Sequence, residues 1–151
     1  MRANNRRLRL YTIPVWTSKL NLSVERILRL TSLELSKKIV KILDRKKADD
    51  IRLLKIRDLS ILADYFVIAG ATSTTQVKAL VDEVDFQLSQ MGLEPSFIEG
   101  YHSNNWVVLD YHDVIVHVFL KDAREYYDLE RMWADAENVE IDSIISEQGE
   151  N

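Results

Sequence analysis

The run Asn104-Asn105-Trp106-Val107-Val108-Leu109-Asp110-Tyr111-His112-Asp113-Val114-Ile115-Val116-His117-Val118-Phe119 restricts the fold more than any other stretch. Branched and aromatic residues fill both arms, and polar residues cluster between them, as two strands joined by a tight turn require. A two-residue loop with Asp110 opposite Asp113 would pair Val108 with Ile115 and Trp106 with His117. Side chains alternate along a strand and opposed residues share a face. One face is then aliphatic (Val107, Leu109, Val114, Val116, Val118) and has only a core reading. The other mixes Trp106, Val108, Asp110, Asp113, Ile115, His117 and Phe119, and suits either a second packed layer or a docking surface.

The elements before the hairpin follow from capping and periodicity. Thr31-Ser32-Leu33-Glu34 is a capping box, and Leu35, Ile39, Ile42 and Leu43 recur at helical spacing after it. Arg45, Lys46 and Lys47 close that helix where its dipole favours cations. A strand is expected over Asp50 to Ile56. A second covers Ala63 to Ala69, apolar nearly throughout and therefore central. Gly70-Ala71-Thr72 turns the chain, Ser73 caps a long helix with Gln76 completing a box, and Gly92 ends it. A short strand over Pro95 to Glu99 leads to the hairpin. After it, Asp122-Ala123-Arg124-Glu125 reads as a further capping box, opening a helix with Tyr126, Leu129, Glu130 and Trp133 on one face. Beyond Asn138 the acidic chain is expected to fray. The order predicts an α+β fold, a single mixed five-stranded sheet flanked by helices. Its strand–helix–strand crossover is right-handed if its strands are parallel.

Charge divides the chain into three parts: a basic extension (1–30), a domain (31–137) and an acidic tail (138–151). Residues 1–29 carry seven Arg/Lys against Glu25, whereas residues 121–151 carry ten acids against Lys121, Arg124 and Arg131. The extension has three readings: an organellar transit segment, a basic arm touching RNA or another partner, or the product of an upstream start codon. An acidic body binds phosphate backbone poorly but suits a basic protein. Without cysteine, disulfides, thiolate catalysis and Cys-based zinc sites are excluded.

Candidate chemistry is sparse. Gly70-Ala71-Thr72-Ser73-Thr74-Thr75 could hold an anion at a helix N-terminus, but capping accounts for Ser73 and Gln76 without one. Nucleotidyl transfer needs two carboxylates one residue apart on a strand. Asp110 and Asp113 are three apart at a turn, and Asp82, Glu83 and Asp85 have the spacing of a solvated helix face. A lone strand histidine such as His117 is more often a hydrogen-bonded core residue than a catalyst. Asp110 and Asp113 are either Asx-type turn acceptors or charge offered to a basic partner. Trp106 is either core or the anchor of an interface, where an indole brings large area and a donor nitrogen.

Several blocks together resemble the ribosomal silencing factor (RsfS, or Iojap) family. They are Ala63-Asp64-Tyr65-Phe66-Val67-Ile68-Ala69-Gly70-Ala71-Thr72-Ser73, Ile98-Glu99-Gly100, Trp106 to Tyr111, Asp113 to Phe119, and Tyr127-Asp128-Leu129-Glu130-Arg131-Met132-Trp133. The resemblance spans Thr31 to about Glu137. It implies a nucleotidyltransferase-like core without catalytic carboxylates. It also implies binding to the large ribosomal subunit through the basic ribosomal protein L-fourteen (uL14), which blocks joining of the small subunit and represses translation under nutrient limitation. The family docks through the Trp and Asp matching Trp106 and Asp110, with an acidic block matching Glu99-Gly100. His112 departs from the pattern, standing at a turn where the family commonly has Gly.

The resulting expectation is a steric, non-enzymatic regulator without cofactor, metal or catalytic residue. Trp106 is its anchor, Val108 extends the anchor, and Asp110 and Glu99 pair with Lys or Arg of the partner, with Asp113 a further candidate. A homodimer of the free protein fits, whereas a membrane or a specific nucleic-acid sequence does not. Two alternatives stand beside this reading: an organellar large-subunit assembly factor and a degenerate nucleotidyltransferase-like enzyme. The location is the bacterial cytoplasm, or a mitochondrion or plastid if residues 1–30 are a transit segment.

Overall fold

The computed structural model describes residues 30–147. The readings made for the basic extension, and for the last few residues of the tail, lie outside them. Thr31 Oγ1 accepts from the Glu34 amide at 3.2 Å and Glu34 Oε2 accepts from the Thr31 amide at 2.8 Å, so the expected box is present. It satisfies two amides that the first helical turn would leave orphaned. Helix α1 (Ser32–Arg45) then buries Leu35, Ile39, Ile42 and Leu43. The chain continues as β1 (Asp49–Lys55), β2 (Tyr65–Ala71), α2 (Thr74–Ser89), β3 (Phe97–Glu99), β4 (Trp106–Asp110) and β5 (Val114–Leu120). It ends as α3 (Lys121–Tyr127), α4 (Leu129–Met132), β6 (Glu137–Val139) and α5 (Asp142–Ser146).

Among the described residues the sheet is mixed, as expected, but has six strands in the order β3-β4-β5-β2-β1-β6. β2 and β5 are parallel, and the other neighbours are antiparallel. The strand beyond the expected five is β6, in the segment read as the start of a fraying tail. It pairs with β1, and Lys55 Nζ reaches Glu137 Oε2 at 3.2 Å. The helix after it buries Ile144, with Ile141 and Ile145 against the same core. Those isoleucines have helical spacing, and their burial outweighs the acidic composition that suggested fraying.

α1, α2 and α5 cover one face of the sheet, packing on Leu53, Tyr65, Val67, Ala69, Val107, Leu109, Val114, Val116 and Val118. The opposite face carries Leu54, Phe66, Ile68 and Phe119, covered by Leu129 with Ala123, Trp133 and Ala136 from the α3–α4 segment. Between the layers, every residue of β2 is buried.

The hairpin keeps both expected faces but not the expected register. Val108 pairs with His117 and Trp106 with Phe119, two residues further along β5 than anticipated. Tyr111 is the reason. It is 2% exposed, and it takes a core position opposite Val114, its amide donating to the Val114 carbonyl at 2.9 Å. The two-residue loop is therefore His112-Asp113. An even shift preserves which side chains face the core. His112 has φ of 68°, the left-handed conformation its replacement of Gly anticipated. Asp110 Oδ1 accepts from the His112 amide at 2.6 Å, the Asx-type contact.

Three capping or face assignments change. Gln76 Oε1 accepts from the Thr72 amide at 2.8 Å, one residue before the Ser73 cap it was expected to close. α3 starts directly from β5 at Leu120, with no side-chain cap, so the box at Asp122 does not form. Asp128 is left-handed (φ 46°) and splits α3 from α4, leaving Tyr126 at 82% exposure while Leu129 is buried.

Gly100 joins β3 to the approach of β4. Its φ is +83°, and an added Cβ would run into the Trp106 carbonyl oxygen. Gly100→Ala is expected to lower unfolding stability by about 2 kcal/mol, from strain and the displaced backbone. Urea unfolding measures this, and an unchanged midpoint would refute the close approach.

Candidate functional site

The face that α3 and α4 cover is left partly open along β3 and β4. Register places the side chains there in rows. Phe97 lies beside Asp110 and Ile115, and Glu99 beside Val108 and His117. Trp106 lies beside Phe119 in the next row. Glu99 is exposed, Trp106, Val108 and Asp110 are half-buried, and Phe97 is 44% exposed. Four of the five expected site residues are thus brought together: Trp106, Val108, Asp110 and Glu99.

Asp113 is the exception. It is 2% exposed, because it belongs to the tight turn and not to the open face. Its carbonyl accepts from the amides of Asp64 and Tyr65 at 2.8 and 3.1 Å, which pins the turn against the entrance of β2. Burial removes its carboxylate from the surface a partner would meet.

Trp106 is held from several sides. Its ring stacks on Phe119 at a centroid distance of 4.8 Å and an angle of 22°, and Tyr127 of α3 lies at 4.9 Å. Its Nε1–H donates to His117 Nδ1 at 3.2 Å. The donor nitrogen counted in favour of an interface is therefore engaged inside the protein. His117 is 5% exposed, with Phe66 edge-on at 4.7 Å. Burial pushes its imidazole down to about 3, so the ring is neutral at ordinary pH.

Phe97, Tyr127 and His117 belong to the site but were not among its expected residues. Phe97 was accessible through alternation, two residues before Glu99 on the same face. Tyr127 and the His117 contact depended on the path of α3 and on the hairpin register.

The other candidate sites are tied into the fold. Gln76 Oε1 takes the Thr72 amide and hydroxyl, and Ser73 Oγ takes the Gln76 amide, which supports the capping reading of that loop. On α2, Asp82 accepts from Tyr101 Oη at 2.7 Å and pairs with Lys78 at 3.1 Å. Glu83 accepts from Gln87 and pairs with Lys46 at 3.6 Å. A cleft of about 770 Å³ opens where β2 ends, lined by residues including Asp50, Gly70, Arg124, Glu130 and Trp133. Arg124 crosses it, its Nε donating to Glu130 Oε1 at 2.7 Å and its Nη1 to the Asp49 carbonyl at 3.4 Å, with Asp50 paired at 3.6 Å.

Fold and site together describe a class: a small α+β domain with a strip of aromatic and acidic residues on a half-covered sheet face. The chain belongs to the family described as "Ribosomal silencing factor during starvation", whose model matches residues 29–151. It is 41% identical over 113 residues to the ribosomal silencing factor RsfS of Halalkalibacterium halodurans, covering 75% of this chain and 97% of that one. It is 34% identical over 96 residues to the chloroplastic protein Iojap of Zea mays, covering 63% of this chain and 41% of the relative. A crystal structure of a Chromobacterium violaceum protein superposes with a TM-score of 0.68 at 36% identity, covering 70% of this chain and 88% of that one.

The buried imidazole makes stability depend on pH. In the unfolded chain histidine takes up its proton near pH 6.5, whereas His117 in the fold resists protonation down to about 3. Between those values the unfolded state binds the extra proton. This contribution is therefore intact above pH 6.5 and is lost as pH falls, with a limiting slope of about 1.4 kcal/mol per pH unit. Urea unfolding from pH 7 to 4 should show this acid loss, and His117→Phe should be flatter over the same window. Parallel profiles for the two proteins would contradict a buried neutral His117.

Proposed function

We propose that this protein is a non-enzymatic translation regulator. It docks on the large ribosomal subunit through the outer face of β3 and β4 and fills space that the small subunit needs. The observation that carries the reading is the half-buried Trp106 ring, with Glu99 and Asp110 on the same sheet face. An aromatic anchor bordered by carboxylates suits a basic protein surface: the ring supplies buried area and the acids supply orientation and encounter rate. The family resemblance points to ribosomal protein L-fourteen as that surface. The names of relatives agree with a ribosomal role. Several bacterial relatives carry the name ribosomal silencing factor. A mouse relative, 29% identical over 98 residues, is named for mitochondrial assembly of the large ribosomal subunit.

Catalysis has less support than occupancy. Asp82 and Glu83 of α2, and Asp50 and Glu130 beside Arg124, spend their charge on neighbouring donors and cations, leaving steric occupancy as the simpler mechanism. We place the action in the cytoplasm of a bacterium, because the silencing-factor relatives come from bacteria. Action during large-subunit assembly in an organelle is the alternative, since the mouse relative is named for that assembly and the Zea mays relative for the chloroplast. The same open face allows self-association of the free protein.

Co-sedimentation with purified large subunits tests the proposal. Trp106→Ala should weaken binding more than tenfold, as loss of an anchor does, and cost roughly 1–3 kcal/mol of stability through the lost Phe119 stack. Glu99→Lys should leave stability unchanged, slow association and reverse part of its salt dependence. Asp110→Asn keeps the turn acceptor and should weaken binding through charge alone. If folded Trp106→Ala sediments with large subunits as the unaltered chain does, the docking face is wrongly placed.

A further inference from the structure

The Trp106 ring is fixed by two contacts of different kinds. Stacking on Phe119 at 4.8 Å sets the ring plane. The 3.2 Å bond from Nε1 to His117 Nδ1 sets its rotation within that plane. Because Nδ1 accepts, the neutral imidazole carries its proton on Nε2.

We propose that His117 is the positioning residue of the docking face: it takes up the indole N–H inside the protein and turns the carbon rim of Trp106 toward the partner. The inference rests on the docking reading above. It adds a chemical requirement on the partner. With the donor already engaged, the ring rewards an apolar contact, such as the aliphatic stem of a Lys or Arg, and gives nothing to a hydrogen-bond acceptor. A basic surface supplies such stems together with charges for Glu99 and Asp110.

Two observations carry the proposal beyond the bond itself. His117 sits among Phe66, Phe119 and Trp106, where a phenyl ring would fill the same space. Its Nε2 is buried and meets no hydrogen-bond partner among the described residues. An imidazole therefore costs stability there relative to phenylalanine, so packing alone does not account for it. What the imidazole adds over a phenyl ring is the acceptor for Trp106. Holding the ring in its docking orientation before the encounter removes an ordering cost from binding.

The test compares the full chain with His117→Phe, His117→Asn and Trp106→Ala in binding to purified large subunits. The Trp106 indole N–H is followed by nitrogen-15 NMR. His117→Phe should be at least as stable as the unaltered chain yet bind roughly three- to tenfold more weakly, as loss of one ordering hydrogen bond implies. His117→Asn, which returns an acceptor near the Nδ1 position, should recover most of that loss. The indole N–H should exchange slowly with water in the unaltered chain and rapidly in His117→Phe. Full-strength binding by His117→Phe, while Trp106→Ala does not bind, overturns the positioning role and leaves the docking reading standing. So does weak binding that His117→Asn fails to recover. Full-strength binding by both His117→Phe and Trp106→Ala removes the docking reading itself. Should His117→Phe not fold, the unaltered chain decides alone: an indole N–H that exchanges like a free one refutes the proposal.

Discussion

The parallel pairing of β2 with β5 governs how the remaining elements are laid out. A parallel pair cannot be closed by a tight turn, so the chain must leave and return across the sheet. Here the Asp113 carbonyl starts the pairing by accepting from both Asp64 and Tyr65 at the point where the strands enter side by side. Asp64 is fully buried, its carboxylate 3.8 Å from the Arg57 guanidinium, and its carbonyl accepts from Ile56 and Arg57. One short segment thereby joins the exit of β1, the entrance of β2 and the last hairpin. With β2 buried along its length, both faces of the sheet need cover. α1, α2 and α5 supply it on one side, and the shorter α3–α4 segment supplies it only in part on the other.

That partial cover gives the site its character. α3 and α4 protect β5 and β2 and reach β4 where Tyr127 meets Trp106. The β3–β4 ribbon keeps an outer face bearing Trp106, Glu99 and Asp110. The polar groups of this ribbon serve the fold first. Asp110 holds the turn through the His112 amide, Trp106 donates its Nε1–H to His117 Nδ1, and Gly100 lets the backbone pass close to the Trp106 carbonyl. Surface groups fixed in this way lose little freedom when a partner arrives, which is how a small interface gains affinity without gaining area.

Most of the fold was legible in the sequence, for physical reasons that differ by element. The Thr31–Glu34 box, the apolar stripe of α2 (Val77, Leu80, Val81, Val84 and Leu88) and the buried β2 run are local signals, set by capping and periodicity within one segment. The two hairpin faces were legible because alternation survives an even shift of register. The register itself was not: it turned on Tyr111 entering the core, a choice made by packing across the sheet. The same non-local term hid β6, whose strand character comes from β1, and it placed Asp113 inside the protein. Of the site, Trp106, Val108, Asp110 and Glu99 were reachable from the strand pattern and the family resemblance. His117 and Tyr127 were not, because their contacts with Trp106 depend on register and on the break at Asp128.

In the proposed mechanism a docked chain and a joined small subunit exclude one another. The most direct measurement loads large subunits with the labelled chain, adds small subunits, and separates free from joined particles while counting label in each. Joining should fall in proportion to occupancy, and joined particles should carry no label. Joined particles that retain the chain at full occupancy would contradict it.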